Sequence, residues 1–117
     1  MEMGQIQQYA IPALLVGFFA WRFVRFRLVR SKIPELLKSG AVIVDVRSRG
    51  EFASGSREGS INIPLDELGT SASKLDPKVP VVLCCASGTR SAMAAGVLRR
   101  KGFSKIVNAG PWTNTVS

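Results

Sequence analysis

The sequence places one cysteine, Cys85, where nucleophilic chemistry is expected. It ends the apolar run VPVVLCC, which is typical of a buried strand, and the short loop ASGTR follows before a helix-like stretch over 91–101. Unpaired backbone N–H groups and the helix dipole stabilise an anion at such a turn. A thiolate is an anion of this kind, and a basic neighbour lowers its pKa further, so we expect Arg90 to help activate Cys85.

The residue types that the chain lacks exclude several classes of catalytic and metal site. The 117 residues include no histidine and only two cysteines, which are adjacent. Cys–His proteases, His-ligated metals and imidazole acids or bases are therefore excluded. Two adjacent cysteines support neither a disulfide framework nor a zinc site, so we expect no metal and no cofactor. Strand alternation predicts that Cys84 faces the core as a small apolar residue, with a strained vicinal disulfide as the alternative.

The elements around Cys85 alternate between strand and helix signals, which predicts a parallel sheet. The expected strands are 41–46, 61–63, 79–84 and 106–108, and the expected helical segments are 31–40, 49–53, 65–68 and 91–101. Pro34 near the first turn and Gly40 at the end mark the limits of the first helical segment. The expected fold class is therefore α/β, with a small parallel sheet flanked by helices.

Charged residues follow the first expected strand. Asp45 and Arg47 point to the same face of an extended segment, so we expect them to pair, and Glu51 comes four residues after Arg47. A carboxylate at the end of an apolar strand usually accepts hydrogen bonds from loop N–H groups. We therefore interpret Asp45 as structural rather than catalytic.

An apolar segment precedes this domain. No side chain from Met3 to Trp21 is charged, and nineteen helical residues would span about 28 Å, close to a hydrocarbon core of about 30 Å. Four arginines follow and would encircle a helix: Arg22, Arg25, Arg27 and Arg30. This arginine collar predicts one transmembrane helix with its N-terminus outside. We divide the chain into 1–30, the transmembrane helix with a basic juxtamembrane segment, and 31–117, a domain in the cytoplasm at the inner membrane.

Other interpretations of the N-terminal segment stay open. A cleaved signal would carry its positive charges before the apolar run, not after it. An amphipathic helix lying in the membrane plane would carry its arginines on one face. A helix buried against the core or a partner needs more covering surface than 85 residues readily offer. The net charge is +8, and residues 1–32 carry +4 of it directly after an apolar run, a pattern that disfavours nucleic-acid binding.

The motifs of the second segment resemble a single-domain rhodanese, a sulfurtransferase. They occur in the family's order over about residues 31–112: Asp45-Val46-Arg47, Glu51-Phe52, Gly55, Gly59, Ile61-Asn62-Ile63-Pro64-Leu65 and Cys85-Ala86-Ser87-Gly88-Thr89-Arg90-Ser91. The resemblance implies a rhodanese-like fold in which the Cys85 thiolate takes sulfur from an anionic donor such as thiosulfate. The persulfide then passes its sulfur to a thiol or to cyanide.

The resemblance also implies roles for the neighbouring residues. Backbone N–H groups of the loop would bind the sulfur, from Ala86, Ser87, Gly88, Thr89, Arg90 and Ser91. Arg90 would attract the donor or orient the loop. The set Asp45, Arg47 and Glu51 would be architectural.

The chain departs from the family pattern at two places. The segment SREGS stands at 56–60, where members usually have His-Ile-Pro-Gly-Ala, and Ala86 stands where members that prefer thiosulfate often carry a basic residue. A cell-cycle-type phosphatase is one alternative, but its loop holds five residues between cysteine and arginine, whereas four separate Cys85 from Arg90. A non-catalytic module that presents its surface to a membrane protein is the other alternative, and the presence of Cys85 argues against it.

Overall fold

The computed structural model describes residues 3–116, which form four helices and one four-stranded sheet. The elements follow in the order α1 (Met3–Lys38), β1 (Val42–Asp45), α2 (Arg49–Ser54), β2 (Ile61–Asn62), α3 (Leu65–Ser71), β3 (Val81–Cys85), α4 (Thr89–Arg100) and β4 (Ile106–Pro111). Short 3-10 turns follow α3 and β4 at Ala72–Lys74 and Trp112–Thr115. The expected α/β fold is confirmed.

The sheet brings the ends of β1 and β3 together. Its strand order is β2-β1-β3-β4, and every pair of neighbours is parallel. Asp45 at the end of β1 is in register with Cys84, one residue before the end of β3. Ligand sites in open parallel sheets lie beyond the carboxyl ends of the strands. Cys85 therefore lies at the edge of the sheet where a site is expected.

Side-chain alternation along β3 places the two cysteines in different cores. All five residues of β3 are buried, as in a central strand covered by helices on both faces. Cys85 joins the core on the α4 side, with Leu68, Leu83, Leu98 and Phe103. Cys84 joins the core on the α1 side, with Ile33, Ile43, Val82 and Ala109. The predicted inward orientation of Cys84 is confirmed, and Cys85 is enclosed as well.

Helix α1 runs through the point where the sequence predicted a new helix. The expected separate helix over 31–40 is wrong, because α1 continues without a break from Met3 to Lys38. Pro34 removes one backbone hydrogen bond from the helix interior. Next to it, Ile33 is 3% exposed on the face of the sheet, with Val29 and Leu37 packed nearby. This apolar packing holds the helix together across the proline.

The other half of α1 projects away from the sheet. The side chains described between Gly4 and Trp21 are all exposed, and the molecule measures 59 Å along its longest axis against 30 and 28 Å across. By length and composition α1 could cross a membrane, and none of its most apolar window is buried. The same helix therefore packs on the sheet with one half and presents an uncovered apolar surface with the other.

The remaining elements lie close to their expected positions. The first turn of α3 was expected at 65–68, but the helix continues to Ser71 and is followed by a 3-10 turn. Strand β4 was expected to end at Asn108, but it extends through a register irregularity to Pro111. This extension pairs Gly110 with Cys84 and Pro111 with Cys85, so β4 also borders the end of β3 where Cys85 lies.

Candidate active site

The loop between β3 and α4 depends on the backbone conformation of Gly88. This residue has φ of 105°, in the region that side-chain-bearing residues rarely adopt. A Cβ atom at Gly88 would also lie 3.2 Å from the Cα atom of Gly110 and 3.0 Å from the ring of Phe26. Glycine lets the loop turn tightly enough for the Gly88 N–H to reach the Cys85 sulfur, with N and Sγ 2.9 Å apart.

Hydrogen-bond donors around the Cys85 sulfur favour its thiolate. The thiol is fully buried, which raises its pKa. The Ser91 hydroxyl, with Oγ 3.4 Å from Sγ, and backbone N–H groups of Ser91, Gly88 and Ser87 act in the opposite direction. Together they outweigh the burial, so the pKa of Cys85 lies below its usual range. These loop groups favour the thiolate, and the role of Cys85 as the nucleophile stays a prediction.

The side chains of most other loop residues point away from the buried sulfur. Ala86, Ser87 and Thr89 have exposed side chains, and Arg90 is half-buried. In the part of the chain that the structure describes, the hydrogen bonds at Sγ come from Gly88 and Ser91. Of the six residues that were predicted to surround the sulfur, the structure places Gly88 and Ser91 in direct contact with it.

Asn108 supports the loop from β4, although sequence reasoning did not assign it to the site. Its Oδ1 atom accepts hydrogen bonds from Ser91 Oγ at 2.7 Å and from the Gly110 N–H at 2.9 Å. Its amide donates to the Gly88 carbonyl oxygen at 3.3 Å. Ser91 has one hydroxyl proton, which can turn from Asn108 or from the Gly88 carbonyl oxygen, 3.0 Å from Oγ, toward the sulfur when the thiolate forms. A polar side chain inside a short apolar strand was the one sequence signal of this role.

Arg90 forms an ion pair with Glu51 on helix α2. Its two terminal nitrogens lie 2.6 and 2.9 Å from the two carboxylate oxygens. Glu51 also closes a capping box with Ser48 at the start of α2. The hydrogen bonds from Arg90 and Ser48 lower the pKa of Glu51 to about 2, and the same pairing raises the pKa of Arg90. The charge of Arg90 is therefore balanced within the protein.

Asp45 and Arg47 form the expected pair in a buried position. Asp45 is fully buried and accepts hydrogen bonds from the Arg47 guanidinium at 2.8 to 3.0 Å and from its backbone N–H at 3.0 Å. Arg47 also donates to the Gly55 carbonyl oxygen at 2.7 Å and stacks on Trp112, 4.9 Å from the ring centroid. This pair ties the segment after β1 to the end of β4.

Cys84 lies in an environment that favours its neutral thiol, unlike that of Cys85. Both cysteines are free. Burial, and next the negative charge of Asp45, raise the pKa of Cys84 to about 12. Cys84 is therefore a neutral thiol at physiological pH, and its environment differs from that of Cys85.

Helix α1 contacts the same loop, which the sequence did not indicate. Arg22 donates a hydrogen bond through Nη2 to the Ser87 carbonyl oxygen. The Phe26 ring lies against Gly110, where a Cβ atom would come within 2.7 to 2.9 Å of three ring carbons. Asn114 donates to the Phe26 carbonyl oxygen at 2.8 Å and fixes this part of the helix. Two residues of the segment before the expected domain boundary thus form part of the loop's surroundings.

Comparison with known proteins agrees with this geometry. The family model of the rhodanese-like domain matches residues 30–110. The chain is 36% identical over 75 residues to the putative sulfur carrier protein YrkF of Bacillus subtilis, across 61% of this chain and 40% of that protein. It is 32% identical over 80 residues to the thiosulfate sulfurtransferase GlpE of Ectopseudomonas mendocina, across 68% of this chain and 73% of that protein. A rhodanese-related protein from Thermoplasma volcanium superposes with a TM-score of 0.65 at 32% identity, across 74% of this chain and 86% of that one.

Proposed function

Because the chain belongs to the family of rhodanese-like domains, we propose that it is a sulfurtransferase whose nucleophile is Cys85. The observation that carries the proposal is the environment of the Cys85 sulfur. The Gly88 N–H at 2.9 Å and the Ser91 hydroxyl at 3.4 Å contribute to holding its pKa below the usual range. The thiolate is the form that attacks sulfur, so this environment supports transfer without a histidine.

The first step is attack on an anionic sulfur donor such as thiosulfate. A bond forms between Cys85 Sγ and the outer sulfur of the donor, the donor's S–S bond breaks, and sulfite leaves with the electron pair. The resulting persulfide carries the single negative charge that the thiolate carried before. Backbone N–H groups at a helix start stabilise such an anion, so the dipoles that favour the thiolate also favour the terminal sulfur of the persulfide.

The second step returns the enzyme to its starting state. A thiolate acceptor or cyanide attacks the terminal sulfur, which leaves Cys85 as a thiolate and yields an acceptor persulfide or thiocyanate. Both acceptors react as anions, so no general acid is required. Arg90, paired with Glu51, orients the loop in this scheme, while Asp45 and Arg47 keep the strand ends in place.

The size of the loop supports sulfur transfer over phosphate hydrolysis. Four residues separate Cys85 from Arg90, and the Gly88 N–H lies directly against Sγ. A single additional sulfur atom fits this small ring better than a tetrahedral phosphate. Hydrolysis of an aryl phosphate by the purified protein, lost in Cys85→Ala, would favour the phosphatase alternative.

The proposal includes a membrane anchor at the N-terminus. The apolar run of α1 up to Trp21 is uncovered, and the arginine collar follows it directly. A helix of this length can cross a bilayer, and arginines after it favour a cytoplasmic domain. We therefore place residues 1–30 as anchor and juxtamembrane segment and 31–117 as the catalytic domain at the inner membrane, with α1 continuous between them.

Mass spectrometry of the full-length protein tests the enzymatic activity. We expect incubation with thiosulfate to add the mass of one sulfur atom, and subsequent cyanide to remove it as thiocyanate. Cys85→Ala should abolish both changes, whereas the matched variant Cys84→Ala should retain them. An unchanged wild-type mass, under conditions where a control sulfurtransferase gains sulfur, would reject thiosulfate as the donor.

Alkaline carbonate extraction of membranes tests the anchor. A spanning helix should keep the full-length chain in the pellet. Release into the supernatant would show that α1 instead packs on a partner or on the membrane surface.

A further inference from the structure

We propose that Arg22, on helix α1, binds the anionic sulfur donor at the loop mouth, which we define as Ser87 and Gly88. The inference rests on the proposed sulfur transfer and names the residue that selects the donor by charge. Arg22 lies outside residues 30–110, which match the family model. It would make the specificity of this protein depend on its N-terminal helix.

An anionic donor needs a positive charge near the thiolate. Thiosulfate carries two negative charges and must approach a third, so the encounter is repulsive unless a cation compensates. Arg90 is paired with Glu51, and Arg47 is paired with Asp45. The two arginines that follow the ends of β1 and β3 in the sequence are therefore each engaged by a carboxylate.

Arg22 meets this need by its position. Its Nη2 atom donates to the Ser87 carbonyl oxygen and lies 3.3 Å from the place that a Cβ atom would take at Gly88. Gly88 in turn donates its N–H to the Cys85 sulfur. Among the ion pairs of residues 3–116, none involves Arg22. Its positive charge thus stands uncompensated beside the loop mouth.

The Arg22 guanidinium has further N–H groups that can bind an anion. Five N–H groups are available in a planar fork, and the Ser87 carbonyl accepts from Nη2. The sulfonate end of thiosulfate presents three oxygens, which suit two parallel hydrogen bonds from such a fork. The donor would replace or share the Ser87 contact, with its outer sulfur directed to Cys85.

Phe26 holds Arg22 at this place. The guanidinium carbon of Arg22 lies 5.4 Å from the centroid of the Phe26 ring. The ring itself contacts Gly110, and the Asn114 amide binds the Phe26 carbonyl oxygen at 2.8 Å. This packing fixes the rotation of α1 about its axis, so that the side chain one turn earlier faces the loop.

Paired alkylating reagents test the charge of the site without requiring sulfur transfer. Iodoacetate and iodoacetamide attack the same thiolate and differ by one negative charge. In the full-length protein in neutral detergent, we expect Arg22→Gln to lower the ratio of the iodoacetate to the iodoacetamide rate at Cys85 about 3- to 10-fold. Arg22→Lys should restore part of the ratio.

Arg25→Gln is the matched control. Arg25 lies on the same helix, is exposed and stacks on Trp21, 5.3 Å from that ring centroid. Both variants remove one charge from the arginine collar, so a general electrostatic effect would change both ratios equally. Equal ratios in Arg22→Gln and Arg25→Gln would overturn the inference.

Steady-state kinetics separates this inference from the proposed function. We expect Arg22→Gln to raise the KM for thiosulfate about 3- to 10-fold while kcat changes less. A wild-type protein that accepts no sulfur from thiosulfate would reject thiosulfate as the donor, while the alkylation ratio still decides whether Arg22 attracts anions. A wild type that transfers sulfur with the same KM in Arg22→Gln would reject the role of Arg22 alone.

Discussion

The Arg90 guanidinium and the Glu51 carboxylate face each other in a two-pronged ion pair, with N–O distances of 2.6 and 2.9 Å. The pair connects the first turn of α4, directly after the cysteine loop, to the first turn of α2. Glu51 is itself fixed by the capping box with Ser48. The position of the loop therefore depends on a helix that contributes no group to the Cys85 sulfur among the described residues.

Replacement of Glu51 should loosen the loop. Glu51→Gln removes the charged acceptor of Arg90. The Arg90 guanidinium then loses its two-pronged ion pair, and the backbone N–H groups of the loop lose their alignment with the Cys85 sulfur. We expect kcat/KM for sulfur transfer to fall about 10-fold or more, with faster hydrogen exchange at residues 87–91. Glu67→Gln is the matched control, because Glu67 is exposed to a similar degree as Glu51 and pairs with Arg49 away from the loop. Similar losses in both variants would contradict the prediction.

The ion pair between Glu51 and Arg90 should persist to low pH. Its pKa of about 2 means that the carboxylate stays charged down to that pH in the folded protein. The folded pKa lies below the unfolded one, so the contribution to stability is fully present above the unfolded value and is lost as pH falls through about 2. Denaturant titrations between about pH 5 and 2 should show a decreasing difference between wild type and Glu51→Gln.

Cys85 should react as a thiolate over a wider pH range than a free cysteine. We expect the midpoint of its alkylation by iodoacetamide to lie below the ordinary cysteine pKa, because donors at the sulfur outweigh burial. Ser91→Ala keeps the backbone donors and removes the hydroxyl, so the midpoint should move upward. An unchanged midpoint would assign the whole effect to the backbone.

The thiolate should also make stability depend on pH. A folded pKa below the unfolded one means that the Cys85 contribution is present above the unfolded pKa and lost as pH falls through the folded pKa. The pKa of Cys84 is raised to about 12, so its contribution to stability is present below the unfolded pKa and is lost as pH rises toward about 12. The comparison of wild type with Cys85→Ala should therefore be made in a Cys84→Ala background.

Gly88→Ala should be more damaging than a substitution at another left-handed glycine. Gly102 has φ of 94°, and a Cβ atom there would meet no other described residue within 4 Å, so Gly102→Ala should cost about 1 to 2 kcal/mol through backbone strain alone. Gly88→Ala adds crowding against Phe26 and Gly110, about 1 to 3 kcal/mol more, and should abolish sulfur transfer. Equal costs from chemical denaturation would show that the loop can move away from α1.

Asp45→Asn should destabilise the fold rather than alter the chemistry. Arg47 is 5% exposed and would keep its charge without the carboxylate, which costs about 3 kcal/mol. Thermal or denaturant unfolding measures this loss, and the KM for thiosulfate should stay unchanged in the folded fraction. Asp66→Asn, at an exposed position of α3, should change stability by about 0.5 kcal/mol or less.

The parts of the site that are local in sequence could be predicted. The loop from Cys85 to Ser91 and the pairing of Asp45 with Arg47 follow from strand alternation and turn chemistry within a few residues. The contact of Arg90 with Glu51 spans 39 residues, and that of Arg22 with Ser87 spans 65. Such contacts depend on how helices pack, which residue spacing alone does not determine.

The continuity of α1 was missed for a related reason. Pro34 is a valid signal for a helix start when only local preferences are considered. The burial of Ile33 against the sheet stabilises the helix on both sides of the proline, and the sequence does not reveal this packing. Asn108 shows the same limit, because its partners Ser91 and Gly110 come together only when β4 pairs with β3.

The uninterrupted α1 has a practical consequence for anyone who purifies this protein. A soluble fragment that begins at residue 31 would keep Cys85, Arg90 and Glu51, and it would be the natural choice for crystallisation or assay. It would also lack Arg22 and Phe26, and Gly88 and Gly110 would face solvent where an aromatic ring now lies. Under the proposed sulfur transfer, its kinetic constants would describe an altered donor entrance, and donors ranked with the fragment would need ranking again with the intact chain.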